Sequence, residues 1–307
     1  MTARQRVGVA ALLVLAAALA FWLDQTLPTA AVWVLLVLSS SIGFAHGALD
    51  AALVLKRFRS SAAALLLAYL VLVFLLGWLL SHSPGLALWL LLLLSAWHFG
   101  EPYARWQGLS AHAALLTRLV VGGAPVMLPV WLGGDRFFQI LQSVVSAQAV
   151  SGWQAMAAVW LGLLLLWVLL CGLRQPASTR FAWCEILATA LLYGVFSPVM
   201  AFALYFGVYH APVHVWRVWR AMTQPALAAD TLLKPQTAGW AVTVALLATW
   251  LLGALLAWQL GWQRVGVVNT GLLLQWLIVA LTALTVPHLV LISACAKYLS
   301  GLEPAIK

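Results

Sequence analysis

Long, unbroken apolar runs constrain the fold of this chain more than any other feature. Residues 61–80 and 267–292 contain no Asp, Glu, Lys or Arg, over the roughly 20 residues that an α-helix needs to cross a bilayer. Backbone polar groups in hydrocarbon must bond within their own segment, so such spans are helical. The runs are continuous rather than alternating, which excludes a transmembrane β-barrel. The sequence therefore predicts an all-α, polytopic integral membrane bundle.

The apolar pattern predicts about ten transmembrane helices that form a single integral membrane domain over residues 1–307. We interpret the first as an uncleaved helix rather than a signal peptide, because many spans follow it. A break with a tight reversal of the chain is expected between the seventh and eighth spans at Ser197-Pro198. The predicted spans are residues 8–23, 30–55, 61–80, 86–104, 112–131, 154–172, 181–197, 199–220, 238–260 and 267–292.

The distribution of basic residues predicts the orientation. The chain is 65% hydrophobic and 7% charged, with a net charge of +9. Of the 16 Lys and Arg residues, all but Arg136 and Arg264 fall in one alternate set of loops, which the positive-inside rule assigns to the cytoplasm. This bias explains the net charge without a nucleic-acid partner. We expect a multi-pass protein of the cell (inner) membrane with both termini cytoplasmic.

Five histidines lie inside predicted spans, where polar groups are costly and mark functional sites. They are His46, His98, His210, His214 and His288. Their spans all run in the same direction, and at a rise of about 1.5 Å per residue each histidine falls in the cytoplasmic half. His210 and His214 share a helix face. Pro212, between them, predicts a local kink that aims both imidazoles inward.

A metal ion is the ligand that such a histidine layer favours, because neutral imidazole suits Fe, Zn, Cu and Ni. A ferritin-like di-iron site would need about four carboxylates, and a pair four residues apart cannot supply both axial ligands of one haem. Three acids could support the site from behind the ligands: Asp50, four residues after His46, Glu101, three after His98, and Glu185, a buried candidate in the seventh span. Asp50 and Glu101 are better placed to accept the N–H of another histidine than of their own neighbour. The alternative for each acid is a purely structural role, in which it pairs with a serine or arginine on another helix.

Four short motifs, "HGALD", "WHFGE", "YFGVYHAPVH" and "TVPH", occur in this order on apolar helices. The set resembles the Brp/Blh family of membrane-bound β-carotene 15,15'-dioxygenases, over residues 40–295. The resemblance implies O₂-dependent cleavage of the central double bond of β-carotene to two all-trans-retinal. It also implies a non-haem Fe(II) held by His46, His98, His210 and His214. His288 matches a further family histidine, either beside the iron or bonded to one of its ligands.

The implied substrate is a hydrocarbon that reaches its site through the lipid bilayer, so the walls of its tunnel should be apolar and aromatic. The candidate lining residues are Trp97, Phe99, Tyr205, Phe206 and Tyr209, of which Tyr209 points away from the face of His210. A microbial rhodopsin is the implied user of the retinal. The family motifs differ here at Ala45 and at Ala211-Pro212, which leaves a different carotenoid or apocarotenoid open as the substrate.

Two other functions use the same histidines. One is a membrane metal transporter, and the other is a non-catalytic metal-binding or assembly protein. A transporter should spread polar groups along a path through both halves of the membrane. The histidines predicted here cluster in one half, which favours the enzyme.

Overall fold

The computed structural model describes residues 47–103, 109–142, 144–173, 176–223, 243, 247 and 270–295. Within these ranges the chain is helical and contains no strand, as expected for an all-α protein. The helices are α1 (Ala48–Phe58), α2 (Ala62–Ser81), α3 (Pro84–Phe99), α4 (Ala111–Leu132), α5 (Gly134–Gln142), α6 (Ala147–Trp167), α7 (Pro176–Val195), α8 (Pro198–Leu204), α9 (Ala211–Thr223) and α10 (Thr270–Ala294). A π-helical segment (Tyr205–His210) joins α8 to α9, and another (Val168–Gly172) extends α6.

Four of these helical stretches are long and apolar enough to cross a membrane: Ala62–Ser81, Ala111–Leu132, Ala147–Cys171 and Leu274–Ala294. The predicted break between the seventh and eighth spans is confirmed, since α7 ends at Val195 and α8 begins with Pro198. Proline suits a first helical position, where its missing N–H has no partner to lose. The predicted span 8–23, residues 30–46 of the predicted span 30–55 and, apart from residues 243 and 247, the predicted span 238–260 lie outside the described residues.

The short helix α5 was missed by the sequence analysis, which placed a loop over residues 132–153. At nine residues it is too short to span a membrane, and it therefore lacks the long apolar run by which spans are recognised. Its apolar residues recur at helical spacing: Leu141 is buried and Phe138 packs against the core. This helix lies along one end of the bundle rather than through it.

Helix α4 is the centre of the described bundle, with 61% of its most apolar stretch buried against 6% for α2. It packs against α3, α6 and α7. Three tryptophans of α6, spaced seven residues apart, donate their indole N–H groups to it. Trp153 bonds the carbonyl of Val126 at 2.9 Å, Trp160 that of Val120 at 3.0 Å, and Trp167 the Thr117 hydroxyl at 2.9 Å.

Two prolines inside α4 alter its hydrogen bonding. Pro129 has no N–H, so the carbonyl of Pro125, four residues earlier, loses its helical donor. The hydroxyl of Tyr193 on α7 donates to this carbonyl at 2.6 Å. A buried carbonyl without a donor is costly in hydrocarbon, so the tyrosine compensates for the proline and ties α7 to α4.

The buried side chains form two apolar clusters. The larger joins α3, α4, α6, α7, the α8–π segment and α10, and includes Phe99, Phe206 and Leu281. The smaller joins α1, α9 and the end of α10, and includes Leu53, Val218 and Leu291. The intramembrane histidines of the described chain lie where these two clusters meet.

Candidate metal centre

Three histidines from three separate helices converge in the interior. His98 comes from the last turn of α3, His214 from α9 and His288 from α10, and all three are buried. One ring nitrogen from each lies within 4.8 Å of the others. When two nitrogens bind one ion at about 2.1 Å each, they are at most about 4.2 Å apart. The three imidazoles would therefore have to move by less than about 1 Å to bind one metal ion together.

His98 occupies the middle of the cluster. Its ring centroid lies 5.0 Å from that of His210, 5.4 Å from His214 and 5.1 Å from His288. His210 therefore contacts the cluster through His98, and its ring is roughly parallel to that of His214 at 6.2 Å. His210 is not one of the three histidines whose nitrogens lie within 4.8 Å of one another. His46, the remaining predicted ligand, lies outside the described residues.

The helix that carries His210 and His214 is not a regular α-helix. Residues Tyr205–His210 form a π-helical turn, and the N–H of Ala211 donates to the carbonyl of Phe206, five residues earlier. Pro212 follows at once, and a proline ring crowds the carbonyl four residues before it. The wider π turn relieves that crowding. Pro212 is exposed while both histidines are buried, so the proline lies on the face away from the cluster.

Asp50 orients His288. The Nδ1 atom of His288 lies 2.8 Å from Oδ2 of Asp50, and the hydroxyl of Tyr69 donates to the same oxygen at 3.0 Å. A carboxylate at this oxygen accepts from the ring, which favours the tautomer with its N–H on Nδ1 and its lone pair on Nε2. Histidines that bind metals commonly donate their other N–H to a carboxylate in this way. As expected from the sequence, the hydrogen-bond partner of Asp50 is a histidine of another helix, His288, rather than its neighbour in sequence.

The other two acids have different partners. Glu101 lies 3.7 Å from Nδ1 of His98, its own neighbour in sequence. The Glu185 carboxylate accepts from three tyrosines: Tyr103, Tyr205 at 3.0 Å and Tyr209 at 3.1 Å. Tyr69 and Tyr103 are not among the residues predicted from the sequence, although a tyrosine inside an otherwise apolar run, as at position 69, indicates a buried hydrogen bond.

A close crossing of α3 and α4 holds His98 in place. A side chain at Gly122 would collide with the backbone of Ala96 and Gly100, and one at Gly100 would collide with the backbone of Arg118. Glycine at both positions lets the helix backbones touch one turn from His98. Bulkier residues would push the end of α3, and the imidazole on it, away from α4.

Trp97 does not line the interior, contrary to expectation. It is 43% exposed, and the Arg118 guanidinium lies 3.5 Å from its ring centroid. The Nε atom of Arg118 also donates to the Trp97 carbonyl at 3.0 Å. Adjacent helical residues point about 100° apart, so a buried His98 turns Trp97 outward.

An apolar cavity lies near the histidine cluster, with Phe206 between the cavity and His210. It encloses about 840 Å³ of space between atoms, a figure that includes space open to the outside. Of the five expected lining residues, only Phe206 lies on its wall; Phe99 packs between Phe206 and His210, and Tyr205 and Tyr209 bond Glu185. The lining side chains with polar atoms are Trp153 and Tyr193, which donate to carbonyls of α4. The wall therefore offers hydrocarbon and aromatic surface.

The donor set fits a divalent metal of borderline softness. Imidazole nitrogens suit Fe, Zn, Cu and Ni rather than Mg or Ca. The Asp50 carboxylate, bonded to His288, supplies a negative charge close to the ion. The chain would thus hold a metal by neutral ligands and balance part of its charge from behind them.

Comparison with known proteins agrees with these motifs. The sequence model of the family described as β-carotene 15,15'-dioxygenase matches residues 37–295, which include all five intramembrane histidines. A β-carotene 15,15'-dioxygenase from an uncultured marine bacterium, 66A03, is 26% identical over 279 residues, covering 85% of this chain and 92% of the relative. No solved structure shows a significant match.

Proposed function

We propose that this chain, which belongs to the β-carotene 15,15'-dioxygenase family, cleaves the central double bond of β-carotene with O₂ at an iron ion held by its buried histidines. The product is two molecules of retinal. Family membership supports carotenoid cleavage, while the bond and the iron are our proposal. A microbial rhodopsin is the downstream user that we expect for the retinal.

One observation supports this function above all others: a histidine cluster suited to a metal lies near an apolar cavity, and Phe206 contacts both. Ring nitrogens of His98, His214 and His288 lie within 4.8 Å of one another. Phe206 both stacks on His210, at 6.0 Å between centroids, and lines the cavity. A metal centre beside hydrocarbon walls is what oxidation of a substrate without polar groups requires.

The reaction balances without a reductant. The central C=C bond breaks, two C=O bonds form, and O₂ accepts the four electrons and supplies both oxygen atoms. Bound iron would supply the activation of O₂, which side chains alone do not perform. His98, His214 and His288 would hold the ion, with His210 beside them. His46 is the further ligand that the family motif implies.

The protein residues have two tasks in this reaction. Asp50 would accept from Nδ1 of His288, which would leave Nε2 as the ring nitrogen available to the ion. The apolar walls exclude water, and they orient the polyene by shape because it has no group to hydrogen-bond. The residues named here bind and position, and they transfer no proton.

Expression in β-carotene-producing cells tests the proposal. Cells with the native protein should lose their orange colour and accumulate retinal. His214→Ala should keep the pigment, whereas His82→Ala should behave as the native protein, because His82 lies outside the cluster and bonds Trp78 and Ser81. Purified native protein should contain iron, measured by atomic emission.

Other results would contradict parts of the proposal. Unchanged pigment with iron-loaded protein would indicate another substrate. Metal flux into vesicles that contain the protein, without pigment loss, would indicate a transporter. Full activity of His214→Ala at native expression would remove the histidine cluster from the reaction.

A further inference from the structure

The cavity beside the histidines has a defined direction. Its lining residues on α3, α8 and α10 all precede the histidine of the same stretch of chain. The outermost of them, Leu88, Pro198 and Leu274, precede His98, His210 and His288 by 10, 12 and 14 residues. The innermost, Leu92, Phe206 and Leu281, precede the same histidines by 6, 4 and 7 residues. At a rise of about 1.5 Å per residue, the cavity therefore begins about 6 to 10 Å from the histidine layer and its far end lies about 15 to 20 Å from it.

The far end of the cavity is built from bulky or rigid side chains. Pro129 of α4, Leu141 of α5 and Trp153 of α6 all contribute to the wall and are all buried. Leu141 comes from the short helix α5, which lies along this end of the bundle. Trp153 is held by its hydrogen bond to Val126, so its indole cannot swing aside without losing that bond.

We infer that this cavity holds one ring-bearing half of the carotenoid and that its length determines which double bond meets the histidine cluster. The ring would lie against Trp153, Leu141 and Pro129. This inference rests on the proposed function, and it adds how the protein selects the central bond.

The dimensions support this assignment. An extended carbon chain advances about 1.2 Å per bond, as an extended peptide backbone does. From the central double bond of β-carotene, roughly nine bonds lead to the ring, so a half-molecule with its ring measures about 15 Å. That length matches the lower part of the 15 to 20 Å range of the cavity.

The chemistry of the substrate makes such a length measurement necessary. β-Carotene has no polar group, and its successive double bonds are nearly identical in chemistry. Hydrogen bonds therefore cannot distinguish the central bond from its neighbours. A wall at a fixed distance from the reactive centre can, because it stops the ring and sets the register of the whole chain.

The aromatic wall leads from the histidines into the cavity. The ring of Phe206 is within 14° of parallel to His210, and the ring of Phe202 is within 16° of parallel to Phe206, at centroid distances of 6.0 and 5.8 Å. Both phenylalanines line the cavity. Parallel rings at successive turns make a flat surface that suits a planar conjugated chain.

A matched pair of substitutions tests the inference. Leu88→Trp fills the cavity, since Leu88 is 3% exposed and lines it, whereas Leu86→Trp adds the same side chain at a 49% exposed position of the same helix. With a shortened cavity the polyene should shift outward. The ratio of unequal to equal cleavage products, measured by chromatography, should rise about tenfold or more. Leu86→Trp should give retinal alone.

Two further variants keep the test decisive if Leu88→Trp does not fold. Leu141→Ala lengthens the far end and should also raise the share of unequal products, by letting the ring move deeper. In the inactive His214→Ala background, β-carotene should co-purify with the protein. Adding Leu88→Trp or Leu274→Trp should reduce the bound pigment at least about tenfold, and adding Leu86→Trp should not.

The outcomes separate this inference from the proposed function. If no variant cleaves β-carotene but pigment retention still depends on Leu88 and Leu274, the proposed function fails and the cavity assignment stands. If the native protein makes retinal while the filled and lengthened variants give the same products at the native rate, the cavity does not set the register. Pigment retention unaffected by every cavity variant overturns the binding site itself.

Discussion

Two polar clusters lie side by side in an otherwise apolar bundle, and they are built in opposite ways. Around Glu185, three tyrosine hydroxyls donate to one carboxylate. Around His98, imidazole rings converge with nitrogens that can act as electron-pair donors to a metal. Both clusters draw on one stretch of chain, Tyr205–His214, whose tyrosines point to Glu185 and whose histidines point to His98.

The two clusters differ in the chemistry of their groups. In the first, hydrogen bonds from three phenols to one carboxylate tie the π-helical turn to α7 and to Tyr103. The second gathers groups of one chemical kind, which is the arrangement that a bound cation stabilises. The tyrosine cluster thus positions the segment, and the histidine cluster uses that position.

The largest effect is expected at His288, whose ring nitrogen lies among the three that converge and which would be a ligand of the proposed metal. Loss of a residue that only supports a ligand lowers metal affinity by about 10- to 100-fold. His288→Ala should lower it by more than that, while His82→Ala should leave it unchanged. Metal content after purification and chelator competition measure this. Full occupancy with an affinity loss of about tenfold or less would show that His288 supports another ligand instead.

A smaller effect is expected at Asp50, which accepts from His288. Asp50→Asn retains an acceptor oxygen but loses the charge, so metal affinity should fall by about 10- to 100-fold. Glu101→Gln is the comparison, because Glu101 lies 3.7 Å from His98 and is the more exposed acid; its effect should be smaller. Chelator competition on both proteins measures the difference, and a larger loss at Glu101 would reverse our assignment of the two acids.

The smallest effect on metal binding is expected at the tyrosine cluster. Glu185→Leu leaves hydroxyls without their acceptor, at a cost of about 1–3 kcal/mol each, whereas Tyr209→Phe should cost about 1 kcal/mol. Thermal unfolding in detergent should therefore shift downward, with Glu185→Gln between native protein and Glu185→Leu. Metal content of the folded fraction should stay native. Loss of metal from folded Glu185→Gln protein would mean that the two clusters are not separate in function.

Much of the fold could be predicted from the sequence, because hydrocarbon leaves the backbone few choices. Spans such as 61–80 and 112–131 match α2 and α4 closely, and the break at Ser197-Pro198 is where it was expected. Short amphipathic α5 was missed because its nine residues carry no hydropathy signal of a span. Pro212 indicated an irregularity in its helix, but the directions in which the π turn sends its tyrosines and histidines depend on Glu185 and His98, which come from other helices.

Some features of the site could likewise be predicted from the sequence, and others could not. Histidines in apolar runs are recognisable from sequence, because burying a polar group is costly and rarely happens without a function. Which histidines group together could not be predicted: a nitrogen of His288 lies among those that converge, and His210 lies beside them. The outward position of Trp97, under Arg118, was not predicted either. The cavity was equally invisible, since its walls come from separate helices and include Leu88, Pro129 and Trp153.

The sequence by itself thus determined that the chain forms apolar helices, that it carries imidazoles where water is scarce, and which family it belongs to. These properties follow from residue types and their order. Only the tertiary structure decided which nitrogens meet, which acid accepts from which histidine, and how far the apolar cavity extends. Those properties depend on distances between helices far apart in the chain, and side-chain packing alone sets such distances.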